Sequence, residues 1–205
     1  MRPPESYSEA MAPLSRAESK ERTRGLILDA ALTLFLDHGY HACSVEQIAD
    51  TAGFTTGAVY SNFGGKPDLA AEALDMLYAR EIDRILADLA GDDSLGAWQR
   101  VLGEWADRMI GERRWARFEL EVASVAATAD SSAQRYARMR ERIARLIGAR
   151  SEIPDAERVD WDATAMLMLG LMLGVAVQRA ADPSLAVTSI THGLGALVRH
   201  PPSRD

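Results

Sequence analysis

Between Ser44 and Lys66 the sequence SVEQIADTAGFTTGAVYSNFGGK confines the chain to two short helices joined by a tight turn. Ser44 with Gln47 three residues on forms a capping box, which starts a helix at Val45 and carries it toward Ala52. Gly53, free to take the left-handed conformation, stops that helix, and Thr55 is the N-cap of a second one, Thr56 to Phe63. Ala49 supplies a small side chain where the two helices cross, and Val59 an aliphatic anchor beneath the second. This is the layout of a helix-turn-helix, which sets its second helix in the major groove of DNA. Val59 and Phe63, four apart, point to the core, whereas Thr56, Gly57, Tyr60 and Ser61 project on other faces. A Gly inside so short a helix costs about 1 kcal/mol relative to Ala. Two readings account for Gly57: close approach of a ligand such as a DNA groove, or relief of a crowded helix crossing.

The rest of the chain reads as helices in series, with no convincing strand, internal repeat or low-complexity block. Residues 1–14, with Pro3, Pro4 and Pro13, read as a flexible N-terminal arm. Ser15 and Glu18 form another capping box, and Leu26, Ile27, Ala30, Ala31, Leu34 and Phe35 give the first helix an apolar face before Gly39 ends it. Pro67 suits the first position of a fourth helix that carries Leu69, Leu74, Leu77, Ile82, Ile85, Leu86 and Leu89 toward Gly91. Further helices are expected at about 94–111, 114–128, 132–149, 156–181 and 184–199.

Charge decides what kind of DNA affinity such a chain can have. The net charge of −7 argues against generic attraction to nucleic acid. Even the first 66 residues hold six bases (Arg2, Arg16, Lys20, Arg22, Arg24, Lys66) against eight acids (Glu5, Glu9, Glu18, Glu21, Asp29, Asp37, Glu46, Asp50). Any attraction must therefore come from placement. Arg16, Lys20, Arg22 and Arg24 crowd the start of the first helix and Lys66 follows the third, which suits a basic rim around the reading head. A solvated face with Glu18 and Glu21 pairing locally fits the same N-terminal charges. With 47% apolar and 26% charged residues, 205 residues suit a soluble globular protein with a substantial core. MRPPESYSEAMAPLS has no apolar run of a secretory signal, and a single cysteine, Cys43, suits a reducing compartment, so a cytoplasmic location is expected. Cys43 precedes a helix start, where it is either a redox sensor or a small apolar core residue.

Over Arg22 to Leu69 the sequence resembles the TetR family of bacterial transcriptional regulators. TRGLILDAALTLFLDHGY is similar to the family's first helix, SVEQIADTAG to its second, and FTTGAVYSNFGGKPDL to its recognition helix and the entry to helix four. The run Gly57, Tyr60, Phe63, followed by Lys66, is the most specific part. The resemblance implies phosphate contacts from Ser44, Thr55, Tyr60, Asn62 and Lys66, and base-edge contacts from Thr56, Gly57, Ala58 and Ser61. Thr56 stands where many members carry Lys, and Asn62 where many carry His. The implied fold class is all-α: an N-terminal three-helix helix-turn-helix DNA-binding domain, residues 15–66, and a C-terminal helical ligand-binding and dimerisation domain, residues 67–205. The implied function is a repressor that binds an inverted-repeat operator in double-stranded DNA as a homodimer and is released by a small-molecule effector.

Two C-terminal features bear on that expectation. Ala163 to Val177, ATAMLMLGLMLGVAV, is nearly continuous in apolar residues but falls short of the about 20 that a membrane span takes, with Asp160, Asp162 and Arg179 close by. A helix apolar all round is buried on several sides, and Gly170 and Gly174 would let another helix come close. The family resemblance assigns a four-helix dimer interface to this helix and the last one, with Leu167, Gly170, Leu171, Gly174, Ile190, Leu194 and Leu197 in it; no membrane partner is expected. Upstream, Trp98, Leu102, Trp105 and Met109 follow helical spacing, and Trp115, Phe118, Val122, Tyr136, Met139 and Ile143 add further bulk. Such a stripe is either plain core or the wall of a pocket for a small, largely apolar molecule. The resemblance favours the pocket, with Trp98, Leu102, Trp105, Met109, Phe118, Glu119, Val122 and Met139 as its residues. Glu119 sits on an apolar face where a carboxylate needs a partner, either an Arg such as Arg145 or Arg100, or a polar ligand group. Glu121 falls with Arg117, Ser124 and Thr128 on a polar stripe, at a position where related sequences often carry Glu. The series Arg135, Arg138, Arg140, Arg142 and Arg145 reads as a solvated helix face.

Nothing in the chain points to catalysis. His38, His41, His192 and His200 lack zinc-ligand spacing, and Gly39 separates His38 from His41 and Cys43. No phosphate-cradling Gly loop or nucleophile elbow is present, so neither an enzyme, a cofactor nor a metal is expected. A second class of function is a helical small-molecule-binding or scaffolding protein whose helix-turn-helix reads no DNA.

Overall fold

The computed structural model describes residues 15–92, 94–110, 113–125, 129–148 and 159–185, which form eight helices. The three N-terminal helices are built as their local chemistry dictates. In α1 (Arg16–His38) the Ser15 hydroxyl accepts from the Glu18 amide while the Glu18 carboxylate accepts from the Ser15 amide, and Gly39 closes the helix at φ 87°. In α2 (Val45–Ala52) Ser44 and Gln47 make the same reciprocal pair, and Gly53 ends the helix at φ 75°. The hydroxyl of Thr55 caps α3 (Thr56–Phe63) by accepting from the Ala58 amide. Ile48, Val59 and Phe63 are buried among Ile27, Ala31 and Phe35 of α1. Leu26, expected on the inner face, is 45% exposed, and Leu32 takes the inward position instead.

The fourth helix, α4 (Lys66–Asp88), starts one residue before the expected Pro67, which lies in its first turn. It is 23 residues long and packs against α1 and α3 at one end and against α5 (Leu95–Met109), α6 (Arg113–Ala123) and α7 (Ala129–Gly148) further on. One rod therefore runs from beneath the reading head into the C-terminal core. The sixth helix stops at Ala123, short of the expected 128, in a turn where the Ser124 amide donates to Leu120. Capped by Asp160, α8 (Trp161–Ala181) begins later than the expected 156. A last helix at about 184–199 lies outside the described residues beyond Leu185.

The α8 helix departs from the expectation of burial on several sides. Thr164, Ala165, Met168, Leu169 and Ala176 are buried, and the helix packs on α6 and α7, but Met166, Leu167 and Val177 stand open. At 21 residues it is, by length and composition alone, apolar enough to cross a bilayer, longer than the apolar run suggested.

Candidate nucleic-acid interface and core cavity

On α3 the helical period sorts side chains cleanly. Val59 and Phe63 are buried, Thr55, Gly57, Tyr60 and Ser61 are exposed, and Ser44, Thr56, Ala58, Asn62 and Lys66 are half-buried at the margin. Tyr60 is 52% exposed although it is a large aromatic in a helix whose other aromatic is buried. Gly57 is not explained by crowding: a Cβ there would meet only the Thr55 hydroxyl, at 3.7 Å, an ordinary contact. The crowded-crossing reading therefore fails, and the fold itself has no need of a glycine at this position.

Three residues expected to touch DNA are engaged within the protein. Arg24 is not on the rim: its guanidinium donates to the Asn62 carbonyl and to the Glu72 carboxylate and lies 4.3 Å from the Phe63 ring centroid, tying α1 to α3 and α4. Asn62 spends one side-chain N–H on the Ala58 carbonyl at 2.7 Å, which leaves its Oδ1 buried without a partner. The amide nitrogen keeps a second N–H, the one donor this side chain has left for a phosphate oxygen. Lys66 lies over the Tyr40 ring at 4.3 Å, where burial pulls its ammonium below the usual lysine range. Cys43 is core: its thiol donates to the Leu34 carbonyl at 3.3 Å, and burial pushes its pKa up, the opposite of what a reactive thiolate needs.

The sixth helix is docked on the far end of the reading head. Arg117 donates to the Leu36 and Asp37 carbonyls at 3.3 and 3.0 Å, at the electronegative C-terminus of α1. Arg114 pairs with Asp37 at 2.8 Å, and the Glu121 carboxylate accepts from the His41 amide at 3.2 Å. Gly39 lies under this contact, and a Cβ there would come within 2.8 Å of Glu121. The polar stripe of Arg117 and Glu121 thus faces a neighbour and not only solvent. Phe118, expected in the ligand pocket, instead stacks on Phe35 of α1 at 4.9 Å and is fully buried.

A cavity of about 60 Å³ lies between α4, α5, α6, α7 and α8. Four of the expected residues line it: Trp98, Leu102, Trp105 and Met139. Met109, Phe118, Glu119 and Val122 do not; they are buried in the surrounding core. The wall also takes Tyr78, Glu81, Ile82 and Ile85 from α4, and Met168, Leu169 and Met172 from α8. Those two groups were missed because each lies on a helix read for another purpose, tether or interface. Glu119 finds neither Arg145 nor Arg100. It accepts from Arg135 at 2.7 Å and from the Tyr78 and Tyr136 hydroxyls, and Trp115 donates to Tyr78 at 3.2 Å. Arg135 is therefore not part of a solvated face; it is 1% exposed, whereas Arg138 and Arg145 are exposed and pair with Asp75 and Glu141. Burial and the Glu119 carboxylate raise the Tyr136 hydroxyl to about 12 and raise Tyr78 as well.

Of the expected interface residues, Leu167 and Gly170 are exposed, and Leu171 and Gly174 half-buried. A Cβ at Gly170 or Gly174 would meet nothing within 4 Å. Ile190, Leu194 and Leu197 lie outside the described residues. No group of three metal-ligating side chains occurs among the described residues.

Residues 27–73 match the family model of bacterial regulatory proteins of the tetR family. TtgW of Pseudomonas putida, described as an uncharacterized HTH-type transcriptional regulator, is 45% identical over 64 residues, covering 31% of this chain and 47% of that protein. The chain thus aligns with about half the length, or less, of the curated relatives it matches. Solved structures extend the likeness to the whole fold. NalD of Pseudomonas aeruginosa, described as the secondary repressor of the MexAB-OprM multidrug efflux pump, is 25% identical with a TM-score of 0.58, covering 91% of this chain and 99% of that one. FadR of Bacillus subtilis, solved with stearoyl-CoA, shares the fold at 18% identity with a TM-score of 0.60, covering 87% and 98% of the two chains. The relatives are transcriptional regulators rather than enzymes. Over residues 27–73, then, the chain is similar to the helix-turn-helix domain of bacterial regulatory proteins of the tetR family.

Proposed function

We propose that the chain is a ligand-responsive transcriptional repressor that binds an inverted-repeat operator as a homodimer and is released by a small molecule. The observation that carries the reading is the exposed face of α3, where Gly57 keeps the backbone bare with no demand from the fold. Close backbone approach to a groove is what such a glycine permits. In this reading Thr56, Gly57, Ala58 and Ser61 face base edges, and Ser44, Thr55 and Tyr60 hold phosphates. Asn62, through its second side-chain N–H, and Lys66 join them from the margin of α3 in this reading, and Arg24 acts by bracing α3.

The division of labour falls near Lys66, with residues 15–66 reading DNA and residues 67–205 binding ligand and partner. Among the described residues, α4 itself and the α6 contact on the C-terminus of α1 join them. A molecule that widens the core cavity presses on α4, α6, α7 and α8 together. It changes DNA affinity only if it binds the two arrangements unequally. NalD, a repressor by its description, supports the repressor sense. The test is a mobility-shift assay of the full chain on duplexes selected from the host genome. Recovery of an inverted repeat bound by a dimer is expected, and absence of sequence preference at any salt concentration would favour the scaffolding alternative.

A further inference from the structure

Extending the ligand reading above and resting on it, we propose that the effector is a single-chain amphiphile with an anionic head. Its head sits in a surface groove between α4 and α7, and its tail passes between Ile82 and Leu146 into the core cavity. The groove has a volume of about 410 Å³. Ile82, Asp83 and Leu86 line its α4 side, and Arg142, Arg145 and Leu146 its α7 side. Ile82 and Leu146 also line the core cavity, so these two half-buried aliphatic side chains stand between the outer space and the inner one.

Charge at the mouth selects the head group. Arg138, Arg142 and Arg145 follow one another at four and three residues along one face of α7. Arg138 has Asp75 and Arg145 has Glu141, but Arg142, exposed between them, forms no ion pair with any described residue. The Arg145–Glu141 pair is itself exposed, which makes Glu141 a weak competitor for that guanidinium. Asp83 is the one acid among the described lining residues, set against two guanidinium groups. A carboxylate or phosphate oxygen entering here gains charge-assisted donors and relieves the repulsion between neighbouring arginines. A cationic head would find Asp83 alone, beside two like charges.

The tail follows from what lies behind the groove. Leu86 is 49% exposed at the mouth, and past Ile82 and Leu146 the cavity presents only apolar surface. The head cannot follow the tail inward, because the described residues around the cavity offer it no Lys, Arg or His. At about 60 Å³ the cavity is small for an alkyl chain, so room must come from Met139, Met168 and Met172, unbranched side chains on α7 and α8 that re-pack readily. The head thus grips α4 and α7 at the surface while the tail displaces side chains between them and α8.

The test is calorimetric titration of the full chain, without DNA, with octanoate, octanol and octylammonium. Octanoate is expected to bind about tenfold more tightly than octanol, and octylammonium most weakly. Arg142→Gln, at an exposed position without an ion pair, should cut octanoate affinity about fivefold and leave octanol within about twofold, whereas Asp83→Asn should raise octanoate affinity about twofold. Orientation is read by fluorescence. Three of the chain's four tryptophans, Trp98, Trp105 and Trp115, line the cavity and none lines the groove. Bromine quenches an indole that it touches. In a Trp161→Phe background, octanoate brominated at its far end should therefore quench, and octanoate brominated beside the carboxylate, at equal occupancy, should not. Octanol or octylammonium binding at least as tightly as octanoate, an unchanged preference in Arg142→Gln, equal quenching by the two bromo acids, or no binding of any probe would each overturn the proposal. The wild-type ranking decides even if a variant fails to fold. Binding in the expected order without loss of operator affinity would refute ligand release and leave this site standing. Operator release by octanol and not by octanoate would do the reverse.

Discussion

Gly57 and Glu119 separate the residues that make function from those that make the fold. At Gly57 the backbone is helical and a new Cβ meets nothing closer than 3.7 Å, so Gly57→Ala should raise stability by up to about 1 kcal/mol. Operator affinity should fall by about tenfold, because the added methyl stands where the groove approaches. Chemical denaturation and fluorescence anisotropy on a selected duplex measure the two effects, and a parallel loss of both would return Gly57 to a structural role. Glu119 is the opposite case. Glu119→Ala strands Arg135 in the core, a loss of about 3–5 kcal/mol. Its neighbour Tyr136 links the same network to pH. A tyrosine ionises near 10 in the unfolded chain, whereas in the fold burial first, and the Glu119 carboxylate second, raise Tyr136 to about 12. Its contribution is therefore complete below about pH 10 and is lost as the pH climbs toward 12. Denaturation curves for Tyr136→Phe should fall less steeply over that interval than those of the wild type; identical slopes would remove Tyr136 from the account.

Whole elements were legible where local chemistry sets them, and obscure where a partner helix does. Ser15 with Glu18, Ser44 with Gln47, Thr55 and Gly53 each announce a helix end in their own side chains, and each does so in the fold. Arg24 and Arg135 carried no such signal. A guanidinium in a charged helical stretch has the periodicity of a solvated face, and only the arrival of Glu72 or Glu119 from another helix makes it internal. Phe118 was misassigned for a related reason: its helical stripe is shared by the cavity and by the α1 contact, and spacing does not distinguish the two. Phe118→Ala should cost about 3–5 kcal/mol by opening the stack on Phe35, and so weaken DNA binding through the fold rather than through effector response. The same contact makes Gly39 sensitive. Gly39→Ala combines φ +87° with a Cβ 2.8 Å from Glu121, a loss of about 1–3 kcal/mol. In a Glu121→Ala background the steric part should vanish and the backbone part persist. Additive losses in that double-mutant cycle would show that α6 does not press on Gly39.

At the scale of the whole molecule, α8 leaves Met166, Leu167 and Val177 open on a helix whose other side is core. Gly170 and Gly174 have open space above them in the single chain, so a large side chain there is tolerated unless a second copy fills that space. Gly174→Leu should leave the folded protomer intact while separating the dimer, through overpacking of about 1–3 kcal/mol, and operator binding should fail with it. A Gly174→Leu protein that sediments as the wild type does would move the interface elsewhere. The central claim, that two copies of α3 read DNA together, is tested most directly by selecting random-sequence duplexes with the full chain. The account predicts an inverted repeat whose half-sites lie about 34–36 Å apart or a multiple of that, with Gly57→Ala losing affinity for it at undiminished stability. Recovery of no common sequence, or of a repeat that Gly57→Ala binds as tightly as the wild type, would contradict it.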